Sequence, residues 1–334
     1  MVPTISLITP SYNQRGFLKE CLESVQDQGY AGLEHIVVDG GSTDGSVEVI
    51  ADAASGSAWW CSEKDRGQSH AINKGLEHAT GDVFGWLNSD DLLLPGALER
   101  VGEAFAADQE LLIYGGQRIM RYPDGSEQRV ELDDPSNTIA LFTAPKVNQQ
   151  STFIRMDAVK AIGGVEEALH YCMDLELWWQ LLFAHGTDNL RFDTVDLAVF
   201  RIHGQSKTGT GTKGFREETA TILTGMAQQL GMEAWVRSLR TGYPDAATLR
   251  PMPLREHHRG LVERMVLSFL IKWHGSIHER ADFEMMRTFR RTVSLDDVAV
   301  DAGTQEILKQ LDHQLAVPNW TAFRLKRKLD HLSS

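Results

Sequence analysis

Four times within the first ninety residues a short β-branched or aromatic run breaks into small polar residues. Ile5-Ser6-Leu7-Ile8-Thr9 stops at Pro10, and the stretch Phe17 to Gln28 then sets Phe17, Leu18, Cys21, Leu22 and Val25 on one helical face. His35 to Asp39 ends in the turn Gly40-Gly41-Ser42-Thr43-Asp44-Gly45, followed by a helix over Ser46 to Ala53. Trp59 to Ser62 is a third strand with a helix over Gly67 to Ala79 after it, and Asp82 to Leu87 is a fourth. Strands alternating with helices in this way predict a parallel sheet covered by helices on both faces. Ligands of such sheets gather beyond the carboxyl ends of the strands. Here those ends are Pro10-Ser11-Tyr12-Asn13, Asp39-Gly40-Gly41-Ser42, Ser62-Glu63-Lys64-Asp65 and Asn88-Ser89-Asp90-Asp91. That convergence predicts a polar site.

Further along, Ile113 to Gly116 reads as a strand end, Gln149 to Ile154 as a strand, Asp174 to Ala184 as a helix and Leu197 to His203 as a strand. The Gly/Thr/Lys-rich stretch from Gly204 to Gly214 marks a boundary. Beyond it the pattern is helical, at Phe215–Leu230, Leu261–Trp273 and Trp320–Leu332. The expected organisation is an α/β domain over 1–210, with halves meeting near residue 110, and a helical region over 211–334. At 334 residues the chain suits one large domain or two modest ones. A net charge of −13 argues against extended nucleic-acid binding, which needs a basic stripe. The apolar run Met265 to Ile271 is far short of the ~20 residues that span a bilayer. The opening residues carry no basic-then-apolar targeting pattern, so a cytoplasmic location is expected. Cys21, Cys61 and Cys172 are too scattered for a metal knuckle or a disulfide framework.

The pieces ITPSYN at 8–13, VVDGGSTDGS at 37–46, SEKDRGQSHAINKG at 62–75 and GDVFGWLNSDD at 81–91 resemble the inverting, nucleotide-sugar-dependent glycosyltransferases of family 2, whose fold is GT-A. GGVEEALHYCMDLELWWQL at 163–181 looks like that family's acceptor side, and FRIHGQSKT at 200–208 like its closing metal-site loop. Together they cover about residues 4–208 in order. The bacterial enzymes that build O-antigen or capsule are the nearest in kind.

The resemblance implies a role for each matching residue. Asp39 would hydrogen-bond the nucleobase, with Pro10, Ser11, Tyr12 and Asn13 lining the same pocket and Tyr12 free to stack. Asp65, Arg66 and Gln68 would lie near the ribose, donor sugar or diphosphate. Asn88, Ser89, Asp90 and Asp91 occupy the place of the family's Asp-x-Asp, with Asn88 where the first acid normally stands. Asp90 is then the chief ligand of a divalent cation (Mn2+ or Mg2+), Asp91 a second ligand or sugar contact, and His203 a third. Such a cation neutralises a departing diphosphate. Lys207 and Thr208 would close over the diphosphate. Asp174 is the expected general base, although Met173 stands where the family usually has an acid. The same residues have plainer roles open to them: NSDD as a helix-capping Asx turn, Arg66 as a solvated charge, Asp174 as a cap, Trp178 and Trp179 as core.

The activity this implies is metal-dependent transfer of a sugar, with inversion, from a nucleotide-diphosphate sugar (UDP favoured, GDP or dTDP the alternatives) to a hydroxyl of a saccharide or lipid-linked acceptor. A nucleotidyltransferase needs a glycine-rich basic loop after the first strand, which ITPSYNQRG does not supply. A non-catalytic sugar-nucleotide binder, suggested by Asn88 and Met173, is opposed by the retention of Asp90, Asp174 and His203. The tail Trp320, Phe323, Arg324, Lys326, Arg327, Lys328, Leu329 suits peripheral contact with the inner face of an anionic membrane, and equally a packed terminal helix.

Overall fold

The computed structural model describes residues 2–53, 59–207, 211–296 and 298–332. The chain divides into two compact units, Met1–Leu141 with Pro145–Gly214, and Phe142–Ala144 with Phe215–Ser334.

The first unit is built on a nine-stranded sheet in the order β3-β2-β1-β4-β8-β6-β9-β5, with β7 paired to β6. Its strands are β1 (Ile5–Ser11), β2 (Leu33–Asp39), β3 (Trp59–Ser62), β4 (Val83–Trp86), β5 (Leu92–Leu93), β6 (Ile113–Arg121), β7 (Glu127–Val130), β8 (Thr152–Arg155) and β9 (Leu190–Arg201). The four anticipated strands are parallel to one another. The rest is mixed, because β8 runs antiparallel to both β4 and β6, β5 antiparallel to β9, and β6 parallel to β9. The expected strand over Gln149 to Ile154 is a 3-10 turn at Gln149–Ser151 followed by β8. These antiparallel partners come from stretches far apart in the chain, so the local pattern of any single strand does not reveal their direction.

Helices α1 (Arg15–Gln26), α2 (Ser46–Ala53), α3 (Gln68–His78) and α4 (Ala97–Ala107) cover the sheet. Ile5 and Leu7 of β1 pack with Cys21 and Val25 of α1 and with Leu98, Val101 and Phe105 of α4 in one buried cluster. Leu18 and Leu22 of α1, Val37 of β2 and Ile50 of α2 form another. Ile8, whose side chain leaves β1 on the opposite face, meets α3 at Gly75, where a Cβ would come 2.7 Å from Ile8 Cγ2. Both faces of β1 are therefore covered, which is why the strand is almost wholly apolar.

Chain order takes β1 to β2 to β3 in one direction and then returns to set β4 on β1's other side. That reversal leaves a crevice past the carboxyl ends of β1 and β4. Pro10, taken as a stop, lies inside β1. Leu87 N–H donates to Ile8 O and Gly40 N–H to Ser11 O, so even-numbered residues of β1 face β4 and odd ones face β2. β4 pairs only as far as Ile8, and Pro10's missing N–H falls just beyond it.

Three further helices complete this unit: α5 (Thr138–Thr143), which runs across the division, α6 (Met156–Ala161) and α7 (Met173–His185). The second unit is helical, with α8 (Thr212–Gln229, its first residues in the first unit), α9 (Glu233–Gly242), α10 (Arg259–His274), α11 (Arg280–Thr292), α12 (Ala302–Leu315) and α13 (Trp320–Leu332). Among the described residues no helix is long and apolar enough to cross a membrane. Trp320 and Phe323 stack at 5.3 Å and both pack on Phe283, so the aromatic side of α13 is structural.

Candidate active site

Asp39 closes β2 fully buried. Its Oδ2 accepts from Gly41 N (3.0 Å), Ser42 N (2.8 Å) and Ser62 Oγ (2.7 Å), and Oδ1 from Ser42 Oγ (2.5 Å). The carboxylate thus folds its own turn and ties β2 to β3, leaving one lone-pair direction on Oδ1. Gly41 takes φ +82°, and a Cβ on Gly40 would sit 2.7 Å from Asp65 Oδ2, so this glycine pair lets the β3–α3 loop come close. Asn13, at φ +52°, fastens the end of β1 to the same turn: its N–H donates to Ser42 Oγ (2.8 Å) and its Oδ1 accepts from Thr43 N (2.9 Å). Tyr12 stands 61% exposed at the rim. Ser11 is buried, and among the described residues its Oγ has no hydrogen-bond partner.

Asn88 is the hub of the crevice. Its Oδ1 accepts from Trp86 Nε1 (2.6 Å) and Gln68 Nε2 (2.6 Å), while Nδ2 reaches Gln149 Oε1 (3.3 Å) and Asp91 Oδ2 (3.5 Å). Gln68 Oε1 in turn accepts from Lys207 Nζ (2.7 Å), which also donates to His170 O (2.6 Å). An amide can donate and accept at one point, which an aspartate there could not do. Ser89 is buried beside it.

The two aspartates that follow diverge. Asp90 Oδ2 lies 3.0 Å from His203 Nε2, with both side chains partly exposed. Asp91 is fully buried, and its Oδ1 accepts from Arg201 N (3.1 Å). Burial, and then the Asp90 charge, push the Asp91 carboxyl well above the usual range. Asp91 therefore anchors β9 instead of standing with Asp90 and His203. Arg201 also donates to the Asp90 carbonyl through Nε, to Glu20 Oε2 (2.5 Å) and to Phe17 O (3.0 Å). The Phe17 ring stacks on His203 at 4.4 Å and fixes its plane.

Among the described residues no group of three or more His, Cys, Asp or Glu could hold a metal. The Asp90–His203 pair still fits a Mg2+ or Mn2+ that draws its other ligands from water and substrate phosphates. Ligation through Nε2 requires the ring proton on Nδ1, where Gln205 N–H now approaches at 3.3 Å, so the exchange is confined to one turn.

Asp174 begins α7, half-buried, and lines a cavity of about 20 Å3, room for one water, with Trp86, Gln149 and Trp178. Burial raises its carboxyl, opposed in part by the Arg118 and Lys207 charges. Glu176 faces inward, fully buried, and accepts from Gln180 Nε2 (2.8 Å). Trp178 and Trp179 are buried, with Trp178 Nε1 donating to Leu141 O (3.0 Å). Arg66, expected to face a diphosphate, instead pairs with Glu167 at 2.6 Å, and Asp65 Oδ1 accepts from Gly67 N (2.8 Å). Thr208 lies outside the described residues. Read from the sequence alone, Arg201, Phe17, Gln149 and Arg118 had no part of their own in the site. Arg118 sits in β6 near Asp91 and Asp174, its Nη1 donating to Gln150 Oε1 (3.2 Å) and its buried Nε without a partner.

Comparison with known proteins finds glycosyltransferases. An uncharacterized glycosyltransferase of Rickettsia typhi is 27% identical over 241 residues, covering 68% of this chain and 73% of the relative. One of Mycobacterium tuberculosis H37Rv is 35% identical over 171 residues, covering 49% of this chain and 63%, under two thirds, of the relative. Among solved structures, Staphylococcus aureus TarS aligns with a TM-score of 0.61 at 13% identity, over 93% of this chain and 54% of TarS. The mannosyltransferase PcManGT of Pyrobaculum calidifontis, in complex with GDP-Man and Mn2+, aligns at 0.53 with 16% identity over 97% and 83%. These likenesses show the GT-A fold. The model of glycosyl transferase family 2 matches residues 6–162, a span that holds Ser11, Asp39, Asp65 and the Asn88–Asp91 turn and stops short of Asp174 and His203. Through that region the chain is similar to glycosyl transferase family 2.

Proposed function

We propose that the crevice transfers a sugar, with inversion, from a nucleotide-diphosphate sugar to a hydroxyl of a saccharide or lipid-linked acceptor in surface-glycan synthesis. The observation that carries the reading is the pairing of Asp90 with His203 at one end of the crevice while a half-buried Asp174 with a raised carboxyl stands at another. Solved neighbours in complex with UDP-GlcNAc, UDP and GDP-Man support a nucleotide-sugar donor.

In this mechanism Asp39, through its remaining Oδ1 lone pair, and exposed Tyr12 hold the base. Asp90 and His203 would hold a divalent cation, which when bound neutralises the charge of a leaving diphosphate. Lys207, steadied by Gln68, adds a cation on the same side. Asp174 takes the proton of the acceptor hydroxyl as its oxygen bonds to the anomeric carbon and the bond to the diphosphate oxygen breaks. A carboxyl raised by burial is a better proton acceptor than an ordinary aspartate. Asp91 and Arg201 bind no substrate in this scheme; they fix the strand ends that carry Asp90 and His203.

The test is a thermal-shift and donor-hydrolysis panel of UDP-, GDP- and dTDP-sugars with and without Mn2+. One donor class should raise the melting temperature and be hydrolysed slowly with metal. Failure of every donor to do either would overturn the reading.

A further inference from the structure

In the helical unit, the turn between α10 and α11, together with α12 and α13, lines an open cavity of about 290 Å3. Ile277 and Phe323 make its apolar part, and Ser276, His278, His313, Gln314, Lys326 and Arg327 line the remainder with no Asp or Glu among them. That is an unusual local charge in a chain of net −13. Lys326 Nζ donates to His313 O (3.1 Å) and lies 3.4 Å from His313 Nδ1, while Arg327 Nη1 donates to Ile277 O (2.9 Å). Among the described residues neither cation meets a carboxylate. Arg carries five N–H donors and Lys three, so most remain available. With Lys326 on Nδ1, a neutral His313 keeps its proton on Nε2 and presents a further donor. The volume is at the lower end for small-ligand sites.

We propose that this cavity binds a phosphate-bearing ligand, a phosphomonoester or diphosphate on a small organic body, with the phosphate against Lys326, Arg327 and His313 and the body against Phe323 and Ile277. Two adjacent cations that meet, among the described residues, carbonyl oxygens and one imidazole nitrogen gain from an anion, and Arg offers a phosphate a paired set of donors. The phosphate can come from a soluble metabolite or from a lipid headgroup.

Calorimetry on the full chain with inorganic pyrophosphate, in EDTA, tests the soluble source. Binding should persist in Asp90→Ala, which disables the crevice, and weaken tenfold or more in the Lys326→Gln/Arg327→Gln double variant; His313→Gln guards against a folding artefact by weakening it less with an unchanged melting temperature. Sedimentation with phosphatidylcholine vesicles, alone or mixed with phosphatidic acid, tests the lipid source. There the double variant should release the protein and Arg324→Gln/Lys328→Gln, on the same helix but outside the cavity, should not. Variant-sensitive binding in either arm supports the proposal. Pyrophosphate binding that vanishes in Asp90→Ala, together with vesicle binding that is absent or equal in both double variants, overturns it.

Discussion

Replacing Asp39 by Asn tests whether the carboxylate that would read the base first has to build the turn presenting it. The amide oxygen can take the Oδ2 place and keep Gly41 N, Ser42 N and Ser62 Oγ as donors. The NH2 then faces Ser42 Oγ, whose hydroxyl proton loses its acceptor. Hydrogen bonds to a charged group contribute about 1.5–3 kcal/mol and neutral ones about 0.5–1.5, so three weakened bonds and one reversed one come to roughly 4 kcal/mol. Relief from burying a charge offsets part of this, leaving a net loss of about 2 kcal/mol. For a unit of some two hundred residues, that is a fall in Tm of about 4–8 °C. Ser62→Ala removes a single donor and should lower Tm by about half as much or less. Differential scanning calorimetry at neutral pH decides it. If Asp39→Asn melts within about 1 °C of wild type, the carboxylate does not hold the turn and the argument fails.

EDTA should weaken nucleoside-diphosphate binding by tenfold or more, about 1.4 kcal/mol; Asp90→Ala should reproduce this and His203→Ala should do so more weakly, whereas equal calorimetric affinity with and without chelator removes the metal from the account. Asp174→Asn should lower the transfer rate by about 10²–10⁴ with donor affinity unchanged, and Glu176→Gln should lower stability, because that carboxylate is buried against Gln180; more than about a tenth of the rate remaining in Asp174→Asn refutes the assignment. Since the folded Asp174 carboxyl is raised, its charged form opposes folding and its contribution is lost as pH rises, so wild type and Asp174→Asn should melt alike near pH 4 and the variant should gain as pH climbs above that; a gap that narrows with pH would contradict this. Gly75→Ala pushes a methyl against Ile8, and an overpacking loss of about 1–3 kcal/mol should outweigh the gain of about 1 kcal/mol in helix propensity; a higher Tm would show that α3 can yield.

The parallel half of the sheet was legible because β1 to β4 are short, covered strands that read as apolar runs with polar ends. β6 and β9 were only half seen. Their distal parts carry Arg121, Asp193 and Asp196, charges compensated by Arg121–Glu127, Arg129–Asp196 and Arg191–Asp193 pairs, some across strands far apart in sequence. Within the site, residue type and position at strand ends pointed to Asp39 and Asp90, and the family resemblance pointed to His203. The placement of Asp91 was not legible, since what turns it inward is the backbone of Arg201, more than a hundred residues away. The site roles of Arg201 and Phe17 were hidden for the same reason: each acts on a partner that only the sheet brings near.

Pro10 has a consequence for how the crevice survives. Strands with free N–H and C=O groups tend to keep pairing when an adjacent chain offers itself, and a few added residues on β4 would otherwise zip along β1 and seal the mouth above Ile8. A residue with no proton to give at that point acts as a stop in the ladder. The opening is thus guarded by an omission in the backbone of its own central strand, and the surrounding loops are free to vary in length and sequence without closing it.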